Sequence, residues 1–127
     1  MATTTIDWHA RARALAIDGR ALIDGERRPS ASGETFTCIS PINGQTLGQV
    51  ARCGEADVEA AVLGARRAFD DGRWAHLAPA VRKKILQRFA EAILSARDEL
   101  ALLETVDMGK PIQYSLAVDV PATARCI

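Results

Sequence analysis

Three cysteines, two histidines and one Gly-Lys pair are the first residues of this 127-residue chain to test for chemistry. A cysteine acts as a nucleophile when a base or a positive field holds it as thiolate, and it ligates zinc when further Cys or His residues lie a few positions away. Cys38, Cys53 and Cys126 stand far apart with no Cys-x-x-Cys pair, and only His9 and His76 remain to complete a metal set. Neither a zinc centre nor a disulfide framework is expected, and each cysteine reads as a small buried hydrophobe. Gly109-Lys110 is followed by Pro111, which has no N–H to offer a phosphate, so this pair reads as a helix stop. No GxGxxG, GxxxxGK[ST], HExxH, GxSxG or EF-hand spacing occurs. Spacing and periodicity alone therefore imply a soluble α+β domain with no assigned reaction.

Composition narrows the class. With 48% hydrophobic and 25% charged residues the chain is of ordinary globular type. Lys+Arg and Asp+Glu both number 16, so the long-range field that gathers polyanions is missing and nucleic acid is not an expected partner. There is no apolar run of about 18 residues and no secretory signal at the start, which leads us to expect a cytoplasmic protein without a membrane partner. No repeat, low-complexity tract or Pro/Gly/Ser-rich linker divides residues 1–127.

The elements follow from the hydrophobic period. Ile6, Ala10, Ala14 and Ile17 recur at near-helical spacing, so residues 1–20 read as a leading helix or flexible segment. Asp24-Gly25, Ser32-Gly33 and Asn43-Gly44 then punctuate short apolar runs, which predicts a β-meander with strands near Ala21–Ile23, Glu34–Ile39 and Thr46–Ala51. Asn43-Gly44 should make the last two a hairpin, with Pro41 closing the first of them.

From Glu55 the period becomes about 3.6: Val58, Val62, Ala65 and Phe69 share one face of a helix that Asp70-Asp71-Gly72 ends. A second helix opens at Ala78-Pro79, carries the stripe Val81, Ile85, Phe89, Ala92 and Ala96, and shows Arg82, Lys83, Lys84 and Arg88 to solvent. A third, with Leu100, Leu103 and Val106, stops at Gly109. The segment after Pro111 is helical again, with Pro121 expected to kink or restart it.

The wording and order of these segments resemble the beginning of the aldehyde dehydrogenase superfamily. The matching stretches are LIDGE, ETFTCISPINGQTLGQVA, DVEAAVLGARRAFDDGRW, APAVRKKILQRFAEAIL and ELALLETVDMGKPI. Ile23-Asp24-Gly25, Pro41-Ile42-Asn43-Gly44, Gly64-Ala65-Arg66-Arg67-Ala68-Phe69, Arg82 to Leu94 and Glu104 to Pro111 match five family motifs in family order. Within the superfamily, LAIDGRALIDGE and LALLETVDMGKPIQYSLAVDVPATAR are most similar to the bacterial γ-glutamyl-γ-aminobutyraldehyde dehydrogenases of putrescine breakdown.

The resemblance implies an α/β fold of which this chain supplies the amino-terminal part: a short meander or hairpin and about four helices, completed elsewhere by a Rossmann-like sheet. Residues 1–127 would be an incomplete amino-terminal portion of the cofactor-binding domain. The family's reaction is attack of a cysteine thiolate on the aldehyde, hydride transfer to NAD or NADP, and hydrolysis of the thioester by a Glu-activated water. Nucleophile, base, oxyanion Asn and cofactor-binding Lys all fall downstream of Ile127 by this resemblance, so no catalytic or cofactor-binding residue is assigned here. Cys126 is read as packing, not as the nucleophile.

What the resemblance places within the chain is support. Main-chain carbonyls of Cys38, Ile39 and Asp107 match positions that bind a monovalent cation, Na+ or K+, in several members, hard oxygen ligands being suited to such ions. Val118 and Ala122 match the wall of the aldehyde tunnel, where a small Ala122 leaves room for a longer aminoaldehyde. The whole enzyme would be a dimer or tetramer. Other semialdehyde or betaine-aldehyde dehydrogenases share this architecture, and a non-catalytic helical assembly module is the alternative of a different class. The uncapped end Ala124-Arg125-Cys126-Ile127 is read as an interrupted helix, and the chain by itself is expected to expose apolar helix faces, inactive and prone to associate.

Overall fold

The computed structural model describes residues 6–127, so the part of the leading segment before Ile6 lies outside the described residues. Helix α1 (Trp8–Arg13) opens at Asp7, whose carboxylate accepts from the Ala10 N–H at 2.9 Å. Its neighbour is helix α4, which it meets through an Arg11–Asp98 ion pair at 3.6 Å. The chain then runs beside the sheet: Gly19 forms a parallel bridge to Val50, and a Cβ at Gly19 would lie 2.0 Å from the Gln49 carbonyl oxygen. Only glycine lets the two backbones approach this closely.

Two antiparallel hairpins follow in place of one meander. Strands β1 (Ala21–Ile23) and β2 (Glu26–Arg28) pair across Asp24-Gly25, both at positive φ, the twist that tight hairpin turns require. β2 was not expected, because Glu-Arg-Arg has no apolar alternation and its pairing comes from the turn alone. Pro29 removes the next ladder donor, which separates this hairpin from β3 (Thr35–Ile39) and β4 (Thr46–Ala51). The second hairpin forms as expected around Asn43-Gly44, with a register shift between Cys38 and Ile39.

The helices fall where the period put them. α2 (Glu55–Asp70) begins at Gly54, and α3 (Pro79–Ser95) carries proline at its first position. α4 (Arg97–Met108) ends at Gly109 with φ 73°. After Pro111 a continuous helical rod runs through α5 (Ile112–Tyr114), a π-turn (Ser115–Asp119) and α6 (Val120–Arg125). The disturbance expected at Pro121 takes the form of this π-turn. Without an N–H at Pro121 and with its ring crowding the Ala117 carbonyl, the ladder relaxes, and Val120 donates to Ser115 five residues back.

α4, the π-turn, α6 and α3 pack together and hold most of the core, with Ala101, Leu102, Val120 and Ala124 buried. Ile23 is buried where β1 meets α2. The core is small: the chain exposes 9415 Å², against about 6,600 Å² for a compact monomer of this mass. Part of the exposed surface is helix face that the period marks as apolar. Val58, Val62 and Phe69 on α2 and Val81, Ile85 and Phe89 on α3 are all exposed. No helix among the described residues is long and apolar enough to cross a membrane.

One buried carboxylate ties the first half together. Asp57, 2% exposed, accepts from the Gly54 N–H at 3.0 Å and from the Ala31 N–H at 2.9 Å, so it caps α2 and fixes the loop between the hairpins. We predict that Asp57→Ala lowers unfolding free energy by about 2–3 kcal/mol, since two backbone donors lose a buried, charged acceptor. Asp57→Asn, which keeps one acceptor oxygen, should lose less in the same urea titration; equal loss would mean that the retained bond contributes nothing.

Candidate functional site

The described residues with the most convergent polar contacts lie where the end of β3 meets the last turn of α4. Cys38 Sγ donates to Asp107 Oδ1 at 3.4 Å, and the hydroxyl of the buried Ser40 donates to the Val106 carbonyl at 3.3 Å. The same hydroxyl accepts from the Ile42 N–H at 3.3 Å, which orders the turn that follows. On the helix side, Gly109 turns left-handed so that its N–H reaches the Thr105 carbonyl. A Cβ there would come within 3.2 Å of Pro41 Cγ, so the hairpin loop seats directly on the helix end.

Lys110 continues the junction toward the rod. Its ammonium donates to Asp119 in the π-turn and lies 3.6 Å from Glu104 Oε1. The hydrogen bond to Asp119 raises the Lys110 pKa first; desolvation opposes it, and the charges of Asp119 and Glu104 add to it. Lys110 is thereby held cationic between two carboxylates, joining α4, the glycine turn and the π-turn. Sequence reasoning did not find this cluster, because a Lys and an Asp nine positions apart carry no local signal until Pro111 reverses the chain between them.

The sequence-assigned positions divide into two groups. Cys38 and Asp107 are brought together through their side chains, with Ile39 next to Cys38 across the register shift. A register shift takes carbonyls out of the regular ladder, and Asp107 lies in the last turn of α4, where carbonyls lack intrahelical partners. The contact that joins the two segments is the side-chain one, Cys38 Sγ to Asp107 Oδ1. Val118 and Ala122 form the second group: Val118 is exposed in the π-turn, and Ala122 is half-buried four residues on in α6.

The cysteines depart from the buried reading. Cys53 and Cys126 are exposed and Cys38 is half-buried. Cys53 precedes Gly54 in the link to α2, and Cys126 caps α6, so neither lies on a packed face. At Cys38 the thiol is held neutral: the hydrogen bond to Asp107 raises its pKa, with desolvation and the carboxylate charge adding. Ser115 is fully buried, and its hydroxyl, like that of Thr105, finds no partner among the described residues.

A model of the aldehyde dehydrogenase family matches residues 28–127. Among curated relatives, the NADP/NAD-dependent aldehyde dehydrogenase PuuC of Escherichia coli is 41% identical over 94% of this chain, which spans 24% of the relative's length. Among solved structures, the γ-glutamyl-γ-aminobutyraldehyde dehydrogenase of Burkholderia cenocepacia matches with a TM-score of 0.92 at 55% identity, covering 94% of this chain and 24% of that one. The P. syringae indole-3-acetaldehyde dehydrogenase, solved with NAD+, matches with a TM-score of 0.91 at 56% identity over the same shares. The fold is the amino-terminal portion of theirs, and the chain spans about a quarter of the length of these relatives.

The Cys38–Asp107 contact is open to a direct test. Alkylation needs the thiolate, so at pH 8 Cys38 should react with iodoacetamide more slowly than Cys53 and Cys126. Asp107→Asn, which removes the charge that holds the thiol proton, should accelerate labelling of Cys38 alone. Peptide mapping by mass spectrometry reads both, and an unchanged Cys38 rate in the variant would dismiss the contact.

Proposed function

Because the chain belongs to the aldehyde dehydrogenase family, we propose that it forms the amino-terminal portion of the cofactor-binding domain of an NAD(P)-dependent enzyme that oxidises an aminoaldehyde, such as γ-glutamyl-γ-aminobutyraldehyde, to its acid. The observation that carries this reading is the superposition on the B. cenocepacia enzyme, at 55% identity over 94% of the chain. The family's cofactor is NAD or NADP, and a NAD+-bound relative supports the former. NAD accepts hydride from the substrate when bound; this chain's share is to shape and steady the domain that holds it. We assign no catalytic and no cofactor-binding residue to positions 1–127.

In this reading the junction at the end of β3 is a supporting site. Carbonyl oxygens of Cys38, Ile39 and Asp107 hold Na+ or K+, which clamps the hairpin to α4. Val118 and Ala122 face the entering aldehyde, and the Lys110–Asp119 pair fixes the π-turn that carries Val118. The whole enzyme assembles as a dimer or tetramer. Relatives at 55% and 56% identity are named for different substrates, so the assay sets their aldehydes side by side. The choice of an aminoaldehyde rests on the likeness of LAIDGRALIDGE and LALLETVDMGKPIQYSLAVDVPATAR to the γ-glutamyl-γ-aminobutyraldehyde enzymes, with which a small Ala122 is consistent.

The assay compares the 127-residue chain with the product of any reading frame that extends it, using γ-glutamyl-γ-aminobutyraldehyde, 3-aminopropionaldehyde, betaine aldehyde and indole-3-acetaldehyde with NAD+ and NADP+. We expect turnover in the extended product only, with γ-glutamyl-γ-aminobutyraldehyde preferred. Turnover by the 127-residue chain would overturn the assignment of catalysis elsewhere. Ala122→Met in the extended product should lower kcat/KM for the γ-glutamyl substrate by about 10-fold or more through lost space, while changing that for a short aldehyde little. Equal loss on both would remove Ala122 from the tunnel wall. Replacing Na+ and K+ by choline at constant ionic strength should lower the melting temperature of the extended product, and no shift would remove the cation.

A further inference from the structure

The rod after Pro111 buries one line of side chains, and the spacing of that line is irregular. Ser115 is fully buried, Val120 is 6% exposed and Ala124 8%, where the rod packs on α4 and α3. Val120 and Ala124 are four residues apart, as one face of an α-helix allows. Ser115 and Val120 are five apart, and at about 3.6 residues per turn a regular α-helix would point them about 140° away from each other. The π-turn, in which Val120 donates to the Ser115 carbonyl, takes one more residue into the turn and brings both inside. It leaves Val118 half exposed on the outer side.

A proline inside a helix does not dictate this arrangement, since a kink is an equally ordinary response to the missing N–H and the crowding ring. What singles out the wide turn here is the residue two positions ahead of Pro121. The Asp119 carboxylate accepts from the Lys110 ammonium, which also lies 3.6 Å from Glu104 Oε1 on α4. Lys110 stands outside the rod, next to the glycine that ends α4, so the pair ties the turn to the body and not to its own helix. The buried hydroxyl of Ser115 supplies no such tie. It has no partner among the described residues, so no hydrogen bond of its own keeps it inside.

We propose that Lys110 is a positioning residue for the entering aldehyde: by holding Asp119 against the end of α4 it sets the rotational phase of the rod, and with it the direction in which Val118 faces relative to Ala122. The role toward the aldehyde rests on the reading above in which Val118 and Ala122 line its path; the phase does not. Closing the π-turn to a regular helix would rotate the residues before it by about 100° relative to those after it. α6 is held by its packing on α3, so the rotation falls on Ser115 to Val118. Val118 then leaves the side it shares with Ala122, and Ser115 leaves the interior.

Two measurements test it, one of the phase and one of the path. In the 127-residue chain carrying Ser115→Cys, iodoacetamide labelling mapped by mass spectrometry reads position 115 directly. We expect protection with Lys110 in place, labelling many-fold faster after Lys110→Met or the milder Asp119→Asn, and protection kept by Lys110→Arg. In the extended product, Lys110→Met should lower kcat/KM for the γ-glutamyl substrate several-fold more than for a short aldehyde. That difference should vanish when Val118→Ala is already present, because residues that act through one another are not additive. Position 115 still protected in both variants, or labelled fast with Lys110 intact, overturns the proposal. A ratio moved by Val118→Ala but not by Lys110→Met leaves the path reading standing and sinks this inference alone. A ratio moved by neither removes Val118 from the path and takes the role of Lys110 with it.

Discussion

The seat of the β3–β4 loop on the end of α4 joins the two halves of the structure. β3 and β4 carry little buried surface of their own, and an isolated hairpin is marginal in water. What fixes this one is the last turn of a helix, met by a thiol at Cys38, a hydroxyl at Ser40 and the ring of Pro41, each on a different group. The contact needs a backbone that turns away without a Cβ, which Gly109 provides. Shift that residue out of the left-handed region and the carbonyls of α4 lose their N–H closure just as Pro41 loses its seat.

The same junction passes order on to the rod that follows. Lys110 is placed by the glycine turn and grips Asp119, so the π-turn is anchored at the point where Pro121 weakens the helix. A π-turn widens the helix locally and changes which residues share a face, and such turns occur frequently at functional sites. Here it presents Val118 outward and draws Ser115 fully inside. Pro121, which disturbs the helix, and Asp119, which holds the disturbance in place, are thus eleven and nine residues from Lys110, close enough to act as one unit.

Much of this was legible from residue types. Pro79, Gly109 and the Asn43-Gly44 turn mark boundaries through fixed φ or missing donors, local effects that survive any tertiary context, and the structure places elements accordingly. β2 was not legible because Glu26-Arg27-Arg28 has no buried face to announce it. The burial of the cysteines was misjudged for a related reason. A tendency of the residue type was applied to positions that turned out to be a link before α2 and a helix cap. Cys38, Asp107, Lys110 and Asp119 illustrate the remaining limit: their types were readable, but pairing over 69 and nine positions depends on where Gly109 and Pro111 send the chain.

The apolar stripes carry a different lesson about what periodicity means. Val58, Val62 and Phe69 have the spacing of a core-facing row, and in this chain they face water, because spacing records which face seeks cover and not what supplies it. Hydrophobic burial is worth roughly 25 cal/mol per Å², so leaving such rows open forgoes a large part of the stabilisation that a domain of this size draws on. What holds the chain in its fold is correspondingly directional: the Asp57 cap, the Arg67–Asp24 bond that steadies an Asp at positive φ, the Ser40 hydroxyl and the Lys110 pair. Polar contacts fix geometry well but add little net free energy each. A scaffold built this way keeps the shape of its relatives, and its open apolar rows mark where a further surface would add to its stability.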